Sequence, residues 1–380
     1  MRPRPRRAGL LLAALCAPVL LVAPAAAAPV DEPVGGPRLG DPGVVAPAGA
    51  PPLPATLTAT SWLVADLGTG EVLAARDAHG RFAPASTLKT LTALALIPEV
   101  EPGRQVVPTF EDVNVEGSKV GLVQEVSYPA SELFAALLMV SGNDAAGALA
   151  TAAGGMERAT ALMNDTAERL GADDTHAVNT SGLDAEGQLS SAYDLALIAR
   201  AGMALPAFRD YVATRRSSIT APGGARFETY NHNKLLGSYE GALGIKNGYT
   251  STARASFVGA AERGGRTLVV TLMKAEPRVW QEAAQLLDWG FAAAAAGVAP
   301  VGVLVEPEPV EELAPTAAAA EDPADLVPAA AAERTAQDAG VSAVQLVVLS
   351  GLLLALAVVL RRRQVVRRRQ ARRRAARRLV

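Results

Sequence analysis

The chain has 380 residues, with 36 basic and 38 acidic side chains and a formal net charge of −2. This balance hides an asymmetry: four arginines lie in residues 1–28 and eleven in residues 361–380, so 21 basic residues accompany all 38 acidic ones between those ends. The central part therefore carries a charge of about −17, which argues against a protein that binds nucleic acid or another polyanion. Because Cys16 is the single cysteine, a disulfide framework, a thiol nucleophile and a cysteine-based metal site are excluded.

The first 28 residues have the pattern of a secretory signal peptide. Four arginines precede an apolar run over residues 8–22, and four alanines follow at 25–28, so we expect cleavage near Ala27 or Ala28. The alternative is an uncleaved anchor helix, but the run is short for a bilayer. Leu15 stands before Cys16, where lipoprotein signals have a small residue, so a lipoprotein is not predicted. Residues 29–55, rich in Pro, Gly and Ala, are expected to be a flexible leader.

Folded-domain patterning is confined to residues 56–297. Residues 60–76 predict two strands around the Gly-bearing turn at 67–70. Apolar spacing predicts a helix over residues 84–97. Further helices are predicted over residues 131–140, 143–170 and 191–203, with Ser131 as the N-cap of the first. A pair of strands is predicted over residues 255–261 and 267–274, joined at Gly264-Gly265. Strands near both ends with helices between them predict an α+β domain.

The C-terminal part predicts a membrane anchor. Residues 298–340 are rich in Pro, Ala and Glu, which predicts an extended stalk. Residues 341–360 contain no charge and have the length of a transmembrane helix. Because positive charge beside a spanning helix stays in the cytoplasm, the Arg-rich residues 361–380 are predicted to be cytoplasmic and the catalytic domain extracellular.

A serine and a lysine three residues apart form the first candidate catalytic pair. The chain has five lysines and 31 arginines, and a buried lysine can lose its proton and act as a base where arginine cannot. Ser86 and Lys89 share one helix face if residues 84–97 begin a helix. A serine hydroxyl becomes a nucleophile when a neighbouring base takes its proton. The alternative is an N-cap serine beside a surface lysine.

Two further motifs follow in order. Residues 141–144, Ser-Gly-Asn-Asp, come directly after a predicted helix, where a serine and an amide can relay a proton and hold a carbonyl group. Residues 244–250, GIKNGYT, place Lys246 on a glycine-flanked strand, where the backbone of a substrate can approach closely. The alternatives are an ordinary turn at 141 and a hairpin turn at Asn247-Gly248.

The three motifs in this order resemble the serine-type D-alanyl-D-alanine carboxypeptidases, which are the low-molecular-mass penicillin-binding proteins of peptidase family S11. The resemblance covers about residues 59–275 and is carried by PASTLKTLTAL, LLMVSGNDAA, NTSGLDAEGQLSSAYDLALIA and NHNKLLGSYEGALGIKNGYT. It implies the β-lactamase/penicillin-binding-protein-like transpeptidase fold, an antiparallel sheet flanked by helices with a helical subdomain. It also implies peptidoglycan stem peptides as substrate, β-lactam antibiotics as inhibitors, and neither a metal nor a cofactor.

The resemblance also implies roles for individual residues. Ser86 is expected to be the nucleophile and Lys89 the general base, with Ser141 relaying a proton and Asn143 holding the substrate amide. The substrate-binding residues are Lys246, Asn247, Gly248, Tyr249 and Thr250, with Lys246 receiving the terminal carboxylate. The backbone N–H groups of Ser86 and Tyr249 are expected to form the oxyanion hole.

Asn247 departs from the family pattern, which usually has threonine there. This departure leaves substrate preference open and permits an alternative, an inactive wall-binding homologue. A β-lactamase-like hydrolase is a second alternative, although no Glu-x-x-Leu-Asn segment lies between residues 143 and 246. A Ser-His-Asp hydrolase is a third, with His79, His176 or His232 as base, but no G-x-S-x-G motif is present.

Overall fold

The computed structural model describes residues 32–306. The predicted signal peptide, transmembrane helix and cytoplasmic tail lie outside these residues, as does the predicted stalk beyond Glu306. Within residues 32–306, no helix is both long and apolar enough to cross a membrane.

An antiparallel sheet organises the described part of the chain. Its strands run in the order β1-β3-β2-β10-β9-β8, and β11 also pairs with β3. The remaining strands form two small pairs, β4 with β5 and β6 with β7. The strands are β1 (Val44–Val45), β2 (Ser61–Asp66), β3 (Glu71–Arg76), β4 (Gln105–Val106), β5 (Tyr128–Pro129), β6 (Arg216–Thr220), β7 (Arg226–Tyr230), β8 (Ala242–Thr250), β9 (Arg254–Arg263), β10 (Arg266–Ala275) and β11 (Gly302–Val303).

Helices cover both faces of the large sheet. They are α1 (Lys89–Leu96), α2 (Phe110–Val113), α3 (Ala130–Met139), α4 (Asn143–Ala152), α5 (Met156–Arg169), α6 (Ala192–Ala204), α7 (Pro206–Ala213), α8 (Leu235–Ser238) and α9 (Val279–Ala295). One face packs against α9, and Leu286 and Leu287 of this helix belong to the same buried cluster as Val64 and Val270 of the sheet. The other face packs against α1 and α6 and the helices around them. The α+β prediction is therefore confirmed, and the strand pairs at residues 60–76 and 255–274 form as expected.

Three predicted helices differ in detail. The predicted helix over 84–97 begins with a 3-10 turn, Ala85–Leu88, and is α-helical from Lys89. Ser131 is not an N-cap, because α3 begins at Ala130 and Pro129 precedes it. The predicted helix over 143–170 is divided into α4 and α5 by Gly154 and Gly155, which have φ values of 107° and 110°. Such values end a helix and suit glycine because it lacks a Cβ atom.

The boundaries of the folded domain extend beyond residues 56–297. In the predicted flexible leader, Leu39 and Val45 are buried and β1 pairs with β3. In the predicted stalk, β11 pairs with the same strand, and Leu304 is buried. Both end segments meet directly, since the Val303 amide donates to the Gly35 carbonyl over 2.9 Å. Each end segment adds a strand of only two residues, and its apolar residues are too far apart to form a periodic pattern. These segments were therefore not assigned to the folded domain from the sequence.

Candidate active site

Ser86 lies in the 3-10 turn that precedes α1, at the edge of the large sheet. Ala85 immediately before it has a φ of 49°, a left-handed conformation that is costly for a residue with a Cβ atom. The Pro84 carbonyl fixes this turn by accepting hydrogen bonds from Ser256 Oγ at 2.7 Å and Thr87 Oγ1 at 2.6 Å. The turn therefore holds Ser86, which is half-buried, in one orientation.

Lys89 is fully buried beside Ser86. Its Nζ lies 3.1 Å from Ser86 Oγ and 2.7 Å from Asn143 Oδ1, and it also donates to the Ser181 carbonyl. Burial first, and the nearby charge of Lys246 second, hold the pKa of Lys89 well below its usual value, although Asp144 opposes this shift. In its neutral form the amine has two protons, enough for the two carbonyl oxygens, and a lone pair that is then left for the Ser86 hydroxyl. This arrangement suits a base, and the alternative of a surface lysine is wrong.

The turn between α3 and α4 supplies the second motif. Ser141 is buried and has a φ of 63°, so the chain reverses sharply there. Asn143 bridges two elements, accepting from Lys89 through Oδ1 and donating through Nδ2 to the Glu116 carbonyl at 2.6 Å. The structure thus places Asn143 against Lys89, while its predicted contact with the substrate amide stays a prediction.

Asp144, to which the sequence prediction gave no role, lies buried beside the site. Its carboxylate is buried and accepts hydrogen bonds from the backbone amides of Val120, Gly121 and Leu122 at 2.8–3.0 Å. Its charge also opposes the lowering of the Lys89 pKa. The side chain therefore fixes the loop at residues 120–122 beside the site.

The edge strand β8 forms the opposite wall of the site. Lys246 is fully buried, and burial lowers its pKa to about 7. Its Nζ donates to the Asn247 carbonyl at 2.7 Å. A Cβ atom on Gly248 would lie 2.7 Å from the Ser86 amide nitrogen, so glycine is required for this close approach. The backbone of β8 therefore lies against the nucleophile, and the hairpin alternative at Asn247-Gly248 is wrong because both residues belong to one strand.

The side chains of β8 divide between the two faces of the sheet. Asn247 pairs with Phe257 across the sheet, on the face covered by α9, and Lys246 pairs with Val258 on the opposite face. Asn247 and exposed Tyr249 line a cavity of about 200 Å³ that also contains His232 and Trp280. The Thr250 hydroxyl donates to Asp184 at 2.8 Å and so ties the end of β8 to the loop carrying Ser181. The Asn247 side chain therefore lies on the opposite face of β8 from the Lys246 side chain.

A loop at residues 181–182 completes the site. The Ser181 carbonyl accepts from Lys89, and a Cβ atom on Gly182, whose φ is 79°, would lie 1.9 Å from the Ala85 carbonyl oxygen. The segment NTSGLD was part of the resemblance, yet no role was assigned to it. Its Ser-Gly pair indicates a turn, but its contact with a lysine 92 residues away depends on the tertiary fold.

The three histidines do not contact Ser86 in the described part of the chain. His79 pairs with Asp174, His176 is exposed and its backbone pairs with Leu189, and His232 is exposed beside β8. The Ser-His-Asp alternative is therefore not supported. The groups around Ser86 are amine, hydroxyl, amide and backbone, a set that fits nucleophilic acyl transfer by a serine with a lysine base.

Comparison with known proteins agrees with this class of enzyme. Residues 48–277 match the D-alanyl-D-alanine carboxypeptidase family, Peptidase S11, and the chain belongs to that family. D-alanyl-D-alanine carboxypeptidase DacB2 of Mycobacterium tuberculosis is 44% identical over 255 residues, which are 65% of this chain and 87% of that protein. DacD of Escherichia coli is 34% identical, with 63% of this chain and 64% of that protein covered.

Solved structures show the same fold. A D-alanyl-D-alanine carboxypeptidase from M. tuberculosis H37Rv aligns with a TM-score of 0.65 and 43% identity, covering 68% of this chain and 99% of the other. The Streptomyces K15 DD-transpeptidase aligns with a TM-score of 0.60 and 28% identity, covering 64% and 100%. The predicted family and fold are both confirmed.

Proposed function

We propose that this serine-type D-alanyl-D-alanine carboxypeptidase removes the terminal D-alanine of peptidoglycan stem peptides through an acyl-enzyme on Ser86. The observation that carries the proposal is the environment of Lys89, a buried amine that faces the Ser86 hydroxyl while two carbonyl oxygens occupy its other sides. A base is most effective when it is unprotonated near the working pH, and burial favours that state here.

Acylation begins when Ser86 Oγ attacks the carbonyl carbon between the two D-alanines. Its proton passes to Lys89 Nζ as the new C–O bond forms. The carbonyl oxygen gains negative charge, which in this proposal is stabilised by the backbone N–H groups of Ser86 and Tyr249. The close approach of β8 to Ser86 at Gly248 supports this assignment. Each such donor contributes about 3 kcal/mol to transition-state stabilisation.

The intermediate then collapses as the C–N bond breaks and the amine of the leaving D-alanine takes a proton from Lys89 by way of Ser141. Asn143 holds both Lys89 and the neighbouring loop in place during this transfer. A water molecule attacks the ester, returns a proton to Ser86 and releases the shortened peptide. Lys246 in its protonated form attracts the terminal carboxylate, which selects substrates that end at this site.

In this proposal β-lactams acylate the same serine, and the resulting acyl-enzyme is hydrolysed slowly. The hydrogen bonds of Lys89 go to a hydroxyl, an amide and a backbone carbonyl, and the chain lacks the Glu-x-x-Leu-Asn segment that activates a deacylating water in class A β-lactamases. A stable adduct is therefore expected.

Mass spectrometry of the full-length protein after treatment with benzylpenicillin tests the proposal. We expect one adduct, located on Ser86. Enzyme that has not been treated with benzylpenicillin should shorten a D-alanyl-D-alanine peptide by one residue. Ser86→Ala should abolish both, whereas His176→Gln should change neither. Absence of the adduct would favour the inactive homologue, and rapid turnover of benzylpenicillin would favour the β-lactamase.

We further infer that the enzyme acts outside the cell membrane, tethered by residues 341–360 with residues 361–380 in the cytoplasm. The supporting observations are the uncharged stretch of twenty residues, the eleven arginines after it and the signal-like N-terminus. Cell fractionation tests this inference: the full chain should sediment with membranes, and a chain ending at Gly340 should be released. Sedimentation of both would contradict it.

A further inference from the structure

A second cluster of polar side chains lies on the other side of the segment that leads to Ser86. It is formed by His79, which follows β3, Asp174, which lies between α5 and α6, and Asp194 in the first turn of α6. One ligand atom from each residue lies within 4.8 Å of the others. The proposed reaction uses none of these residues.

Asp194 is the member that an ordinary hydrogen-bond network does not explain. The side chain is 1% exposed, and its Oδ1 has no hydrogen-bond partner in the described part of the chain. A buried carboxylate oxygen without a partner is rare in folded proteins and indicates an absent ion, water or proton. Its other oxygen, Oδ2, accepts from Thr175 Oγ1 at 2.7 Å, which fixes the carboxylate orientation.

The orientations of the His79 and Asp174 side chains are also fixed by hydrogen bonds to residues outside the cluster. His79 Nε2 contacts the Val34 carbonyl at 3.0 Å, so Nδ1 faces the cluster, 2.7 Å from Asp174 Oδ2. Asp174 Oδ1 accepts from Arg81 Nε at 2.8 Å. Metal-binding histidines and carboxylates are usually oriented by such outer hydrogen bonds.

We propose that His79, Asp174 and Asp194 form a structural zinc site that fastens both end segments of the folded domain to the start of α6. One imidazole nitrogen and two carboxylate oxygens are a ligand set that zinc accepts, with water as fourth ligand. Zinc bonds of about 2.0–2.1 Å place tetrahedral ligands roughly 3.3 Å apart, between the 2.7 Å and 4.8 Å separations seen here. Small side-chain rotations therefore complete the geometry.

The position of the cluster gives the ion its effect. His79 contacts the Val34 carbonyl of the N-terminal segment and packs against the Tyr193 ring, tilted by 37° with ring centroids 4.7 Å apart. The Tyr193 hydroxyl donates to the Val303 carbonyl at 2.8 Å and accepts from the Val305 amide at 3.1 Å. An ion on His79 and Asp194 thus strengthens the attachment of both ends without touching Ser86. The described residues contain no cysteine, so no disulfide performs this task there.

Zinc titration of the full-length protein, after chelation with EDTA, tests the proposal. We expect one zinc per chain by elemental analysis and a higher Tm in the zinc-loaded protein. His79→Gln and Asp194→Asn should each weaken zinc binding at least about 100-fold, since each removes a direct ligand. His176→Gln is the matched control, because it replaces an exposed histidine outside the cluster and should bind zinc as the wild type does.

Labelling of Ser86 by benzylpenicillin shows whether each variant is folded, and it also separates this proposal from the proposed function. Absence of stoichiometric zinc in the wild type would overturn the site. So would a zinc affinity in both ligand variants equal to that of the wild type, or bound zinc that leaves the Tm unchanged. If a variant fails to fold, X-ray absorption of the zinc-loaded wild type decides the question, because the site requires nitrogen and oxygen neighbours from one histidine and two carboxylates.

Discussion

The two buried lysines of the active site differ in what surrounds them. Lys89, on the helical side, reaches the nucleophile and two carbonyl oxygens on three separate segments of the chain. Lys246, on the strand side, donates to the carbonyl of its own neighbour, Asn247. Both have lowered pKa values because of burial. Lys89 thus contacts three segments around the nucleophile, whereas the one hydrogen-bond acceptor found for Lys246 among residues 32–306 is the carbonyl of its neighbour.

Replacement of Lys89 by arginine should have the largest effect. Lys89→Arg places a permanently protonated group where an unprotonated amine is needed, so we expect kcat to fall by about 10³-fold or more. Steady-state hydrolysis of a D-alanyl-D-alanine peptide provides the measurement. Lys274→Arg, at an exposed lysine to which the proposed reaction gives no role, is the control. Activity of Lys89→Arg within tenfold of the wild type would show that another group takes the proton.

The contact between β8 and Ser86 should be the next most sensitive feature. In Gly248→Ala, the added Cβ atom meets the Ser86 amide nitrogen at 2.7 Å and displaces the strand, so the rate of acylation by penicillin should fall by about 10²–10³-fold. Gly237→Ala is the matched control, because its Cβ atom meets no atom within 4 Å. Equal acylation rates in the two variants would contradict the assigned oxyanion hole.

The pH dependence of kcat/KM should distinguish the two lysines. The rate should rise as Lys89 loses its proton on the acid side, and it should fall above a pH of about 7, where free Lys246 loses the charge that attracts carboxylate. Lys246→Arg keeps its charge at all these values and should remove the alkaline limb. A retained alkaline limb in Lys246→Arg would assign that limb to a different group.

Asn247→Thr should have the smallest effect. Asn247 lies on the sheet face opposite to Lys246, so the exchange is expected to change KM by less than about tenfold with little change in kcat, as a loss of uniform binding does. Measurement of both constants on one peptide tests this, with the wild type in parallel. A change of kcat by 100-fold would place this side chain in the transition state.

The sequence predicted the residues of the site better than the contacts that organise it. Ser86, Lys89 and Asn143 could be picked out because their motifs are short and local, and the expected proximity of Ser86 and Lys89 is present. The hydrogen bond between Lys89 and Asn143 was not predicted. The partner carbonyl of Ser181 and the packing of Gly182 under Ala85 were missed, since they join segments more than ninety residues apart. The domain boundaries were too narrow for a related reason, because two-residue strands give no periodic pattern.

The pairing of β1 and β11 with the same strand has a topological consequence. The Gly35 carbonyl and the Val303 amide are hydrogen-bonded, so the two ends of the folded domain lie side by side on an edge of the sheet that does not contain β8. A circular permutation is therefore feasible, in which a short linker joins the two ends and new termini are placed in an exposed loop such as Gly264-Gly265. The order of residues along the chain would change, while the wall formed by β8 and the turn that carries Ser86 would keep their neighbours.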